Sequence, residues 1–290
     1  MRTPALIFAL VCSFQLQTSY AQQSEVHGTV LVFGHSKTKL IIATESRDEG
    51  KTRQLCKIIV LNGKTVFTAA GLAVHANPQV TYWNALAQAV YNFEKAKSTK
   101  NSSRLRNTAI GFGERFTKEV NQALRSDNKG SLEEIEGNKN TVITGDFLGF
   151  ENNVAQFYEV FVTYDPQTQV ASYQLRPKYN LARVVFGAAG ENEVAIEFLK
   201  GETPFAKSEQ AKWEMFKQGI PVKDRDVYLA MRLVELTIMY HPQHQTVGGA
   251  IDAMEITNAG IRWVQCKPQC QCNNKPLEIP PGVRERLDAE

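Results

Sequence analysis

Residues 28–47 read GTVLVFGHSKTKLIIATESR. Two short β-branched and apolar runs, VLVFG and LIIAT, flank the polar stretch HSKTK, which is the pattern of two strands joined by a turn. The same pattern recurs in KIIVLNG and TVFTAAG, with the polar segment RDEGKTRQ ahead of the pair. Asn62-Gly63 is the sharpest hairpin signal of the set, because both residues tolerate positive φ. Thr29 opens the first run, and Thr is common at strand starts.

Working outward, the period changes. Val80–Lys97 and Arg104–Arg125 carry apolar residues at three- and four-residue intervals on either side of the polar break STKNSS, which predicts a long helical pair. TVITGDFLGF, AQFYEVFVTYD, VASYQLRP and RVVFGAAG read as strands again. Helical spacing returns in NEVAIEFLKG, SEQAKWEMFKQ and Arg225–Tyr240, and the strands GAIDAMEIT and GIRWVQC flank Asn258-Ala259-Gly260. Segregated blocks of strands and helices, rather than alternating βαβ units, argue for an α+β fold of two stacked sheets with helices on both outer faces. No Pro/Gly-rich linker divides it. The expected organisation is one domain over 29–265 followed by a Cys- and Pro-containing tail, 266–290.

At 290 residues and 43% apolar content the chain can bury a full core. Its 33 basic and 30 acidic residues, net +3, form no basic stripe, which excludes a nucleic-acid surface from the expected partners. Arg2, the apolar run Ala5–Phe14 (ALIFALVCSF) and Ser19-Tyr20-Ala21 have the order of a secretory signal peptide over 1–21. The run is far shorter than the ~20 residues needed to span a bilayer, and bulky Val11 before Cys12 argues against lipidation. The expected location is therefore periplasmic or extracellular, with residues 22–28 as a short propeptide or N-terminal arm. Four cysteines remain in that mature chain: Cys56, Cys266, Cys270 and Cys272. The cluster CKPQCQC is compatible with thiolate ligation of a soft metal or with disulfides. An oxidising compartment favours disulfides, with Cys56 as a partner for one of the three.

Walker A, G-x-G-x-x-G, G-x-S-x-G and H-E-x-x-H motifs are all missing from the sequence. Gly111-Phe112-Gly113 lies within a helical pattern and reads as a packing feature. His241 and His244 in YHPQHQ could pair as ligands, but a proline separates them and no third ligand is evident, so a turn after a helix is the plainer reading.

Three segments, GTVLVFGHSKTKLIIATESR, CKIIVLNGKTVFTAAGLA and VGGAIDAMEITNAGIRWV, taken in their order and spacing, resemble proteasome core-particle subunits and their bacterial relatives, members of the Ntn-hydrolase family. The resemblance implies a four-layer αββα sandwich and a threonine peptidase or amidase. Its nucleophile would be Thr29, freed by autocatalytic removal of a propeptide ending in Gly28, with the new α-amine as general base. Glu45, sixteen positions on, falls where the family has an aspartate. Lys57 begins KIIVL as the family's lysine begins its strand, and Gly71 in TAAG matches the glycine that lends an oxyanion-binding amide. The resemblance also implies self-association into rings, and it calls for no cofactor or metal. The substrate would be a peptide or small amide, since an exported chain lies away from cytosolic unfoldases.

The match has departures. Glu45 is one methylene longer than Asp, and the turn between Glu45 and Lys57 is a few residues shorter than in the family. Active members carry a Ser-Gly pair where this chain has Ala188 and Ala189, and an Asp-x-x-Ser-Gly-Gly where it has His244 and Val247. Those hydroxyls assist proton transfer, which Val247 cannot do. A second expectation therefore stands beside the first: a catalytically silent subunit of the same fold that acts in assembly or binding.

Overall fold

The computed structural model describes residues 29–289 apart from 46, 49–50, 55, 78–80, 126–131, 133–134, 136–139, 179–180, 242–246, 268–269, 271 and 273. Within them the chain is mixed α+β, built on two five-stranded antiparallel sheets. In the first sheet, β1 (Val30–His35) and β2 (Leu40–Thr44) are flanked by β12 (Val185–Gly190) on one side and by β13 (Asp252–Thr257) and β14 (Gly260–Gln265) on the other. The second runs β11 (Val170–Pro177), β10 (Val154–Asp165), β9 (Thr141–Glu151), β6 (Thr65–Gly71), β5 (Ile58–Asn62). Two short hairpins, β3 (Arg47–Asp48) with β4 (Lys51–Gln54) and β7 (Val74–Asn77) with β8 (Thr81–Asn84), stand outside the sheets.

The helices are α1 (Ala85–Lys95), α2 (Arg104–Arg125), α3 (Glu193–Lys200), α4 (Pro204–Phe216), α5 (Arg225–Tyr240) and α6 (Pro281–Ala289). Side chains alternate across a strand, and each face of the inner strands meets a different apolar cluster. Leu31, Phe33, Leu40 and Ile42 pack against Ile58, Val60, Val66 and Leu148, so this cluster lies between the sheets. Val30, Val32, Ile41 and Ala43 pack instead on the helical side with Phe198, Val227, Leu233 and Val234. On the second sheet Ile59, Phe67 and Phe147 meet Phe112 and Phe116 of α2. Strands covered on both faces read as unbroken apolar runs rather than as alternation, which accounts for VLVF and LIIA.

Several local features differ from the sequence reading. The helix expected from Val80 starts only at Ala85, because Thr81–Asn84 pairs with Val74–Asn77 and Asn84 then caps α1, its Oδ1 accepting from the Ala87 amide at 3.0 Å. The Asn62-Gly63 hairpin forms, but without positive φ at either residue. Asn62 Oδ1 accepts from the Lys64 amide at 2.8 Å and closes the turn with its side chain. The segment RDEGKTRQ, read as a plain turn, includes the β3–β4 pair. Beyond Gln265 the chain is tied to the helical pair: Ile279 and Leu287 are buried in the α1/α2 cluster, and Arg284 forks onto Glu94 at 2.7 and 3.0 Å. The first 28 residues, including the signal-peptide reading, lie outside the described residues.

The Phe67, Phe112 and Phe147 rings form an aromatic triad in the core, with centroids 4.6 to 5.4 Å apart. Phe147→Ala should lower the unfolding free energy by about 3–5 kcal/mol, as large-to-small changes at fully buried aromatics do, measured by urea denaturation.

Candidate active site at Thr29

Three chain segments that meet only through the fold converge on Thr29. The β1–β2 ladder pairs Leu31 with Thr44, so one antiparallel step further brings Glu45 beside Val30 and next to Thr29. The sixteen-residue offset is thus the length of one hairpin. Lys57 arrives from the other sheet, immediately ahead of β5. Its Nζ donates to Thr29 Oγ1 at 2.8 Å and also pairs with Glu45 Oε1. All three side chains are buried, Glu45 fully.

An ammonium ion taken out of water requires an opposite charge and further hydrogen-bond acceptors. Glu45 supplies the charge and Thr29 one acceptor. In return the lysine places its positive end against the Thr29 hydroxyl, where it would favour negative charge on that oxygen. Thr44 Oγ1 donates to Val30 O at 2.9 Å, tying β2 to β1 at this end of the ladder.

The Thr29 carbonyl is held as well: it accepts from the Glu191 amide at 2.9 Å. Gly190 between them has φ +73°, and a Cβ there would stand 1.7 Å from Thr29 O. Any other residue would push β12 off the start of β1. The end of β6 reaches the same place, with the Ala70 methyl 3.2 Å from where that Cβ would be. Gly71, next in the chain, has φ +103° and would carry a Cβ 2.7 Å from Val142 O, so glycine is required there on backbone grounds alone.

The departures are placed too. Ala189 pairs with Leu31 and Ala188 with Val32, and Val247 is buried among the apolar side chains under α5. Gly28 and His244 lie outside the described residues. Cys56 is bonded to Cys270, and Cys266 to Cys272, so the cysteines are disulfides rather than thiolate metal ligands.

Sequence reasoning missed Asp146 and the Asp252–Lys267 pair, and weighed His241 only with His244, without Glu191 and Glu193. Asp146 of β9 is fully buried, and neither carboxylate oxygen has a partner among the described residues. Burial, and then the charge of Glu159 across the ladder, push its carboxyl well above the ordinary 3.8, against a smaller opposing effect of Lys178. A lone charge inside the apolar run TVITGDFLGF was the available signal. Asp252 and Lys267 form a second fully buried ion pair, at 2.7 Å. His241, at the end of α5, places Nε2 2.9 Å from Glu191 Oε2 and 3.7 Å from Glu193 Oε2. These three are able in principle to share a divalent cation.

A groove of about 500 Å³ is lined by Lys37, Phe157 and Lys178. It opens at the opposite end of β1, roughly 20 Å from Thr29 at about 3.3 Å per strand residue. Comparison with protein-family models and with curated protein sequences finds no match to either.

Two outcomes follow from this geometry. Gly190→Ala should destabilise the fold severely, by more than about 4 kcal/mol, read as loss of the cooperative thermal transition. For Asp146, the folded state holds its proton more tightly than the unfolded chain. The stability linked to it is present below the ordinary value of 3.8 and is lost as pH rises through the raised folded value. Asp146→Asn should therefore flatten the fall in stability with rising pH and unfold at higher urea than wild type above neutrality.

Proposed function

We propose that this chain is an exported, proteasome-like N-terminal-threonine hydrolase with the four-layer αββα sandwich of the Ntn class, cutting peptide or small amide bonds. One observation carries the reading: Lys57 Nζ lies 2.8 Å from Thr29 Oγ1 while pairing with Glu45, three buried polar groups each adjoining a different strand. A threonine that merely opened a strand would need neither charge.

Cleavage of the Gly28–Thr29 bond would free the Thr29 amine. That amine takes the hydroxyl proton as Oγ1 attacks the substrate carbonyl, and Lys57 stabilises the developing charge on Oγ1. The Gly71 amide is the candidate donor to the tetrahedral oxyanion. Collapse expels the substrate's amine with the proton and leaves an ester on Thr29, which water then hydrolyses to regenerate the hydroxyl. Assembly into rings belongs to the same proposal, through the resemblance.

A silent subunit of the same fold is the second reading. It is favoured by Val247, whose buried apolar side chain occupies the position of a family serine, and by Ala188 and Ala189.

Intact-mass spectrometry of the mature protein and of Thr29→Ala separates the two. The expected result is a chain beginning at Thr29 in the wild type, with the variant still carrying residues before it. A wild-type chain that retains those residues after full maturation would overturn the nucleophile assignment. In the processed protein Lys57→Met should lower hydrolysis of fluorogenic peptide amides about 100- to 10,000-fold.

A further inference from the structure

We propose that the carboxy-terminal cysteine segment is a clamp that positions Lys57 and Glu45 through a closed ring of contacts, an inference that rests on the reading of Thr29 as nucleophile. Cys56 directly precedes Lys57 and is disulfide-bonded to Cys270, 214 residues away in sequence. The Cys270 amide donates to Lys267 O at 2.9 Å. Lys267 is fully buried and engages both oxygens of Asp252, its Nζ with Oδ2 at 2.7 Å and its amide with Oδ1 at 2.9 Å. Asp252 stands opposite Thr44 in the β13–β2 ladder. Glu45 follows Thr44 and pairs with Lys57, which closes the ring.

The two charged groups need such support because of where they sit. Glu45 lies one residue past the end of β2, and Lys57 one residue before β5, which is the edge strand of its sheet. Both charged side chains are therefore carried on backbone just outside the named strands. The same segment also covers the edge, since the Leu277 amide donates to Val60 O at 3.2 Å. A buried ion pair is costly to leave half-made, so Asp252 and Lys267 define one register for the segment, and the disulfide transmits that register to Lys57. Cys56, Cys270, Asp252 and Lys267 are positioning residues: they act on Thr29 through Lys57 and Glu45.

The test uses the mature full-length chain and a β-lactone that esterifies threonine hydroxyls, with ester formation followed by intact mass across pH. Wild type is compared with Cys56→Ser/Cys270→Ser and with Arg284→Ala, which loosens the same segment at Glu94 without touching the ring. Melting temperatures confirm that each is folded at the assay temperature. The clamp predicts acylation at pH 7 slowed at least about tenfold in the double variant, as misplacement on the ångström scale does. Its pH midpoint should rise by about one unit, because a displaced ammonium no longer favours the deprotonated base. Arg284→Ala should keep the wild-type midpoint.

Equal rates and midpoints in wild type and double variant would overturn the clamp and leave the nucleophile reading intact. A wild type that forms no Thr29 ester would overturn both. If the double variant does not fold, folded wild type is treated briefly with dithiothreitol. Each sulfur of the Cys56–Cys270 bond then gains a hydrogen while the reagent closes to its cyclic disulfide, and the titration is repeated on protein whose free thiols are confirmed by alkylation. An unchanged midpoint in that sample would likewise overturn the clamp.

Discussion

Both faces of β1 are closed to water, and much of the architecture follows from that. Leu31 and Phe33 require a second sheet, and Val30 and Val32 require helices. Each buried Val, Leu or Phe side chain contributes on the order of 1.5–3 kcal/mol, so the strand is stable only with both covers in place. The antiparallel second sheet brings its own outer face, which Phe67 and Phe147 commit to α2. Once the inner strands are sandwiched, their ends are the places where polar side chains can gather. Thr29, Glu45 and Lys57 all lie at such ends.

At that end the governing term is electrostatic. Lys57 keeps its place in a dry environment because Glu45 and Thr29 Oγ1 accept from it. Asp252, opposite Thr44 in the ladder, and Lys267 repeat the solution, whereas Asp146 has no partner on either oxygen among the described residues. The contrast separates two uses of a buried carboxylate: one paired with a specific cation, the other driven toward its neutral form by burial and by Glu159. Gly190 belongs to the first arrangement, since only a residue without Cβ lets β12 reach the Thr29 carbonyl.

Much of this was legible in order, less in extent. The apolar runs of β1, β2, β5 and β6, the long α2 and the late hairpin were readable because they depend on local periodicity and turn chemistry. The start of α1 was not, because Tyr82 and Trp83 fit a helical period and only pairing with Val74–Asn77 draws them into a strand. The tail was read only as Cys- and Pro-containing; its place comes from two disulfides and from contacts with α1 and α2. Asp146 was passed over because a single carboxylate in a strand looks the same in sequence whether it faces solvent or the gap between two sheets.

By itself the sequence determined the alternation of strand and helix blocks, the β1–β2 hairpin and therefore the offset between Thr29 and Glu45, since a two-stranded ladder converts sequence distance into spatial distance. Only the tertiary structure decided that Lys57, from a different sheet, donates to the Thr29 hydroxyl, that Gly190 rather than Ala188 or Ala189 touches the Thr29 carbonyl, and which cysteine lies behind Lys57. Those contacts join residues up to 214 positions apart, and no local propensity encodes them. They follow from how the two sheets pack through the shared apolar cluster of Leu31, Ile42, Val60 and Leu148.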